Sequence, residues 1–381
     1  MLQSFLEKKP LYYTEIDYTR MPRAYASIAS QIKLPKIIHL IGTNGKGTTG
    51  RFLAQALFHA QYNVGHYTSP HILEFNERIW LNGNNASHEI LEEAHNKLLK
   101  LLDTSMAQEL SYFEYTTLLS MIVFQECDYV VLEAGLGGEH DATAVFKNIL
   151  TVVTPIDKDH EAFLGSTIEE IAITKLNAIQ TSAILAKQKH QTVYEVADKI
   201  SKTKHIPIKS YQDYLDKKDY ENGNLIAKNL HLSEYLQENL LVSICVLNSL
   251  HVSYTPESFY DAKLFGRMSY LAQNIILDVG HNLLAAEALY KALFPQKFVL
   301  IYNTYKDKEY EKILSLLQPI IKRVEIIEVD EDRIVNQDEL LHLLYKLNIQ
   351  AQPFKKIQED ENYLVFGSFS VAEAFLRRYN G

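Results

Sequence analysis

The chain has 381 residues, 47% apolar and 22% charged, with a formal net charge of −9. That length holds two hydrophobic cores, and the composition is ordinary for a soluble globular protein. No basic block or acidic tail stands out, which argues against sustained nucleic-acid binding while leaving room for a local pocket around an anionic ligand.

Residues 1–10 carry Glu7, Lys8 and Lys9 and no apolar run, so no signal peptide is expected. Residues 36–41 (KIIHLI) are a short apolar run entering a glycine-rich loop. Residues 48–61 then have helical spacing, with Phe52, Leu53, Leu57 and Phe58 on one face. A second short strand is expected at 64–68, a helix at 115–126 and a buried strand at 129–133 (YVVLE). Further strands are expected at 149–154, 182–186 and 206–208, and a helix at 167–178. The uncharged run 240–256 contains Ser243, Asn248, Ser249 and Ser253; it falls short of a membrane span and reads as a buried helix with a following loop. The cysteines, Cys127 and Cys245, both sit in apolar stretches and read as buried, reduced thiols, the pattern of a cytoplasmic protein.

After Phe265-Gly266-Arg267 the alternation resumes, with strands at 274–278 and 298–302 and helices at 284–293 and 308–317. Segments 323–327, 337–347, 363–366 and 370–378 continue it. Short apolar strands alternating with helices imply mostly parallel sheets covered on both faces. The expected fold is α/β, with a nucleotide-binding domain over 1–264 and a smaller Rossmann-like domain over 265–381.

Gly42-Thr43-Asn44-Gly45-Lys46-Gly47-Thr48-Thr49 follows a strand and opens a helix. Glycines let backbone N–H groups turn toward phosphate oxygens at a helix N-terminus, and Lys46 would reach the outer phosphates. A bare glycine-rich turn is the bland alternative; three glycines, a lysine and two threonines in this order favour a nucleotide. The match to the common phosphate loop is imperfect, because Gly47 separates Lys46 from Thr48. Glu133 ends a buried strand and is followed by Ala134-Gly135-Leu136-Gly137-Gly138, at the edge where open α/β sheets bind ligands.

With Gly47 in that place, the loop resembles the ATP loop of the folylpolyglutamate synthase and dihydrofolate synthase family, within the Mur ligase superfamily. Four other segments are similar in the same order along the chain: Ser69-Pro70-His71 with Asn76-Glu77-Arg78, Ser111-Tyr112-Phe113-Glu114, Glu133 with its glycines, and Asp278-Val279-Gly280-His281-Asn282. The resemblance implies a P-loop domain of the Mur ligase central type and a C-terminal glutamate-ligase domain. It implies that Thr43, Asn44, Gly45, Lys46, Gly47 and Thr48 hold ATP, that Asn239 meets adenine, and that Arg267 and Asp278 contact ATP from the second domain. It makes Ser69, Glu133, His160 and a carbamylated Lys175 the ligands of two magnesium ions, three oxygen donors and one imidazole nitrogen completed by phosphate. It puts the pterin against Tyr112, Phe113, Glu114, His140, Asp141 and Ala142, and the incoming glutamate near His281 and Ser368. Ser368 also reads as a helix N-cap. Glu139, His140 and Ala144 depart from the family's usual Arg, Leu and Asn.

The reaction so implied converts the carboxylate of dihydropteroate or a reduced folate to an acyl phosphate with ATP, after which the amine of L-glutamate displaces phosphate. Lys46, Glu133, His160, Lys175, Arg267 and His281 are the expected catalytic groups, and domain closure would exclude water. No membrane or nucleic-acid partner is expected, and the protein is expected to be a monomer. A folylpolyglutamate synthase without the dihydropteroate activity, a Mur-type peptide ligase and a nucleotide-regulated binding or motor protein are the alternatives.

Overall fold

A computed structural model describes residues 1–10 and 17–379. The chain divides into two compact units, Met1–Leu232 with Leu236–Lys263, and Ser233–Tyr235 with Leu264–Gly381.

In the first unit β1 (Lys36–Ile41), β2 (Val64–Tyr67), β3 (Ile79–Leu81), β4 (Asn84–Asn85), β5 (Tyr129–Glu133), β6 (Leu150–Val153), β7 (Ala183–Leu185) and β8 (Ile208–Ser210) form one sheet. Its order is β4-β3-β2-β5-β1-β6-β7-β8. Pairings from β2 across to β8 are parallel, and β3 and β4 run antiparallel at one edge. Neighbouring residues of β1 point to opposite faces. Ile38 and Leu40 pack with Phe52, Leu53 and Leu57 of the helix Lys46–His59, whereas Ile37 joins Leu118, Leu119 and Met121 of the helix Tyr112–Val123. Because both faces are covered, the central strands are buried on both faces and largely apolar rather than alternating, with His39, His66 and Thr151 as buried polar exceptions. Full burial of each apolar side chain contributes about 1.5–3 kcal/mol. The helix Lys46–His59 lies very close to β2: a Cβ on Gly50 would stand 2.5 Å from His66 Nε2.

The order of strands brings the carboxyl ends of β2, β5, β1 and β6 side by side, with Leu40 opposite Glu133 and Tyr67 opposite Leu132. The segments that leave those ends carry Thr68, Glu133, Gly42 and Thr154. This is the ligand edge of an open parallel sheet.

The second unit holds β9 (Ser269–Ala272), β10 (Ile275–Leu277), β11 (Phe298–Tyr302), β12 (Ile321–Ile326), β13 (Ala351–Pro353) and β14 (Tyr363–Phe366) in the order β13-β12-β11-β14-β10-β9. All its pairings are parallel except that of β9 with β10. Helices Leu283–Leu293, Tyr310–Leu317, Gln337–Lys346 and Phe369–Tyr379 alternate with these strands. The α/β class and the mostly parallel sheets agree with the alternation read from the sequence.

Differences have local causes. The strands β3 and β4 are too short for a pattern; their signal is Asn82-Gly83, both at positive φ, a hairpin turn. The helix expected from 115 begins at Tyr112, because Ser111 accepts from Glu114 N–H at 3.1 Å and Glu114 Oε2 accepts from Ser111 N–H at 2.8 Å. This reciprocal cap puts Tyr112, Phe113 and Glu114 on the first helical turn rather than before it. Ser111→Ala is expected to lower stability by about 1 kcal/mol, read as a lower urea midpoint with an unchanged slope.

Candidate active site

The phosphate loop is built from the outside inward. Thr43 and Asn44 direct their N–H groups to Pro155 O at 2.9 and 3.2 Å, and Thr43 exchanges two hydrogen bonds with the backbone of Asp157, at 3.0 and 3.1 Å. These bonds hang the loop on the segment after β6. Gly45, left-handed at φ 88°, is the N-cap of the helix Lys46–His59, and no side chain caps that first turn. A Cβ on Gly45 would stand 2.6 Å from Asn239 Oδ1, so loop and Asn239 meet across this glycine. Lys46 curls back to Gly42 O and Thr43 O at 3.1 and 3.2 Å. Gly47 and Thr48 follow in the buried first turn, and Thr49 Oγ1 is buried without a partner among the described residues. A helix N-terminus with uncapped N–H groups, a lysine and an orphaned hydroxyl fits a polyphosphate.

Glu133 is 5% exposed and its Oε2 accepts from the hydroxyl of Thr68. Its carboxylate therefore lies within the strand edge rather than in solvent. Ser69, half-buried, follows Thr68 directly. The polar residues of the same segment hold the backbone behind it. Glu77 accepts the N–H groups of Ile72, Leu73 and Glu74 at 2.7–2.8 Å. Arg78 Nε donates to His71 Nδ1 at 2.7 Å. Burial and Arg78 bring the pKa of His71 down to about 4, so the ring is neutral and accepts that bond.

Lys175, 2% exposed on the helix Ile168–Leu176, donates to Leu136 O at 2.6 Å and to Gly42 O at 3.1 Å. It links the phosphate loop to the glycine loop after Glu133. Burial, then Lys46, lowers its pKa to about 7, while Asp159 and Asp141 act the other way. His160 adjoins Asp159, with its N–H on Asp159 Oδ1 at 2.9 Å and its ring about one-third exposed. Among the described residues no group of three or more His, Cys, Asp and Glu side chains gathers at one point. The donors at this edge are instead the Glu133 carboxylate and the neighbouring hydroxyls. That set suits magnesium, which binds through one or two carboxylates with phosphate and water.

The aromatic segment reaches the same edge from the other side. Phe113 lies against Gly135, where a Cβ would stand 2.7 Å from Phe113 Cζ, and its ring centroid is 6.0 Å from that of Tyr67. Tyr112 packs under the Arg78 guanidinium at 5.1 Å. Glu114 is turned inward: Oε2 takes Arg20 Nε and Ser111 N–H, both at 2.8 Å. In this geometry Glu114 serves the scaffold. His140 is exposed, its ring 4.4 Å from that of Tyr18. Asp141 accepts from Gly137 N–H and Thr143 N–H, each at 3.0 Å, and Ala142 opens the short helical turn that follows.

In the second unit Asp278 is 4% exposed and both its oxygens are engaged. Oδ1 accepts Gly280 N–H at 2.8 Å; Oδ2 accepts Met268 N–H at 2.9 Å and Tyr235 O–H at 3.2 Å. Burial raises its pKa and Arg267 opposes the rise. The Arg267 guanidinium lies 5.2 Å from the Phe369 ring centre. His281 donates from Nδ1 to Val279 O at 3.2 Å, and Ser368 caps the helix Phe369–Tyr379 through Val371 N–H at 3.1 Å.

The residues that sequence reasoning leaves out are those joined across the fold: Thr68 beside Glu133 and Arg20 beside Glu114. Tyr305, Ser370 and Glu331 of the second unit belong with them, linked at 2.7–3.1 Å. Thr68 alone has a local signal, as the next residue of β2 in register with Glu133.

No protein-family model matches the chain. The dihydrofolate synthase/folylpolyglutamate synthase of Haemophilus influenzae is 28% identical over 422 residues, covering 98% of this chain and 95% of that protein. The protein of the same name from Bacillus subtilis is 28% identical over 82% of this chain and 81% of its own length. The crystal structure of Helicobacter pylori folylpolyglutamate synthetase matches with a TM-score of 0.80 and 40% identity, covering 100% of this chain and 98% of that one. The structure of Escherichia coli FolC in complex with DHPP and ADP shares the fold, with a TM-score of 0.83 at 23% identity. With the Helicobacter pylori structure alike over its whole length, and with the nucleotide loop, Glu133 and the aromatic segment arranged along one sheet edge, the chain belongs to the folylpolyglutamate synthase/dihydrofolate synthase family.

Proposed function

We propose that this chain is an ATP-dependent ligase that adds L-glutamate to dihydropteroate and to reduced folates. What supports the reading is a convergence at one strand edge: the Gly42–Thr49 loop, the Glu133 carboxylate and Phe113 on Gly135 adjoin one another within a single unit. A carboxylate oxygen of the pterin substrate attacks the γ-phosphorus of ATP, and ADP leaves. The glutamate amine then attacks the acyl carbon, phosphate departs and the nitrogen loses a proton. Lys46 offsets the charge on the transferring phosphoryl group, and the uncapped N–H groups of the helix Lys46–His59 hold the oxygens next to it. Glu133, with Ser69, would hold magnesium, which neutralises phosphate charge when bound. Asn239 is assigned to the adenine side of Gly45. Aromatic faces at Tyr112 and Phe113 suit a flat heterocycle, with His140, Asp141 and Ala142 on the loop beyond. In the second unit, Arg267 and Asp278 are assigned to the nucleotide, and His281 and Ser368 to glutamate.

A second ion at His160 would use Lys175 as a carbamate. The neutral amine attacks CO2, an N–C bond forms, and one proton leaves, giving an anionic oxygen donor. A buried lysine with its pKa near 7 supplies that neutral amine at physiological pH. We further assign the protein to the cytoplasm as a monomer without membrane or nucleic-acid partners. Among the described residues no helix is long and apolar enough to cross a membrane.

The deciding measurement is ADP release with magnesium, ATP and either dihydropteroate or tetrahydrofolate. Adding L-glutamate is expected to raise the rate with each; no increase with either would overturn the assignment, and an increase with tetrahydrofolate alone would leave a folylpolyglutamate synthase. Lys46→Ala and Glu133→Gln are each expected to lower kcat by at least about a hundredfold.

Lys175 makes a separate prediction in CO2-free buffer. The unfolded chain keeps the lysine proton up to about 10.5, whereas the folded chain loses it at about 7. The unfolded state thus binds more protons across this window, so this lysine makes stability rise with pH between those values. Lys175→Met should show a flatter profile, with its advantage over the wild type largest at the acid end. Isotope-labelled bicarbonate should add a carbamate carbon signal to the wild type that the variant lacks.

A further inference from the structure

His39 lies on β1, fully buried, three residues before Gly42. The reaction above makes no use of it. Its Nε2 is 2.8 Å from Thr143 Oγ1, and that hydroxyl is 2.6 Å from Asp141 Oδ1. Proton inventory decides the direction of both bonds. A carboxylate only accepts, so the single hydroxyl hydrogen of Thr143 goes to Asp141. Thr143 is then the acceptor for His39, whose proton must sit on Nε2. Desolvation keeps the ring neutral, lowering its pKa to about 4 against the pull of Asp141. Nδ1 therefore carries no proton, and it is buried with no hydrogen-bond partner among the described residues. An acceptor left unsatisfied at this depth is a cost that an apolar side chain would avoid.

The chain of bonds runs one way, from His39 through Thr143 to Asp141, whose other oxygen takes Gly137 N–H at 3.0 Å. It ties the end of the loop to Gly137. Immediately before Gly137 the loop turns Leu136 O to Lys175 Nζ at 2.6 Å, and Gly135 lies under Phe113.

We propose that His39 is a positioning residue for the ligase reaction: as a donor of fixed direction it orients Thr143 and Asp141, and thereby the loop that meets the pterin acid, without touching the substrate. This rests on the reading of the aromatic segment and the loop as the pterin side of the site.

The test uses the full-length chain with ATP, L-glutamate and varied dihydropteroate, alongside thermal melts. His39→Leu is expected to raise the KM for the pterin about tenfold or more, with kcat and the KM for ATP within about twofold of wild type. His39→Gln, which keeps an N–H donor on that side, should recover most of the loss. Thr143→Val should copy His39→Leu, and the double variant should lose no more than either single one, as members of one network do. Should His39→Leu fail to fold, Thr143→Val carries the same expectation. A folded variant with the wild-type pterin KM overturns the proposal, and so does a loss shared equally by the KM for ATP, kcat and melting temperature that His39→Gln does not restore. The ligase reading itself fails on a different result, wild-type protein that releases no extra ADP with glutamate.

Discussion

The hydrogen bond from the Thr68 hydroxyl to the Glu133 carboxylate joins β2 to β5 where the sheet gives way to loops. Parallel strands end with backbone groups that no neighbour satisfies, and ligand edges are built from such ends. Here the end is not left open. Thr68 and Glu133 close one side, and the Gly42–Thr49 loop, hung on Pro155 and Asp157, closes the other. Lys175 spans from Gly42 O to Leu136 O between them. These contacts are buried or partly buried, where a lowered effective dielectric strengthens them. The polar groups proposed for the chemistry are also the groups that hold the edge together.

What the sequence made legible follows from locality. The phosphate loop, the strand before it and the helix after it are contiguous, so residue type and order give their geometry. Glu133 was readable because a carboxylate ending an apolar strand and followed by glycines has few structural reasons to be there. The pairing of Arg20 with Glu114 joins residues ninety-four positions apart, and no local pattern encodes it. From the sequence Glu114 reads as a ligand for a polar heterocycle, and only the fold adds Arg20 and the Ser111 N–H as its partners. The same holds for the start of its helix, where a serine and a glutamate three residues later were a capping box in plain view. The helix Gln191–Lys204 has the helical signal, with Val193, Val196, Ala197 and Ile200 buried at i, i+3, i+4 and i+7, whereas Lys217–Asn229 buries only Ile226 and Ala227 among its apolar residues and sets no such period.

The second unit repeats the lesson with Asp278. Its signature reads as a ligand site from the order Asp-x-Gly-His-Asn alone. In the fold the aspartate first ties two backbone N–H groups and Tyr235 into one turn, and Asn282 caps the next helix through Ala285 N–H at 3.0 Å. A signature of this kind carries structure and chemistry in the same residues, so its presence alone does not apportion the two.

The approach of Gly50 to His66 has a mechanical meaning. The phosphate helix sits against β2 with less than a methyl group to spare, and a close-packed contact of that kind does not deform by small amounts. The helix cannot slide to meet different ligands. The start of the helix, and the loop that leads into it, stay where folding put them. A rigid anvil of this sort needs little reorganisation as negative charge shifts across the phosphoryl group, which is how fixed dipoles outperform mobile water.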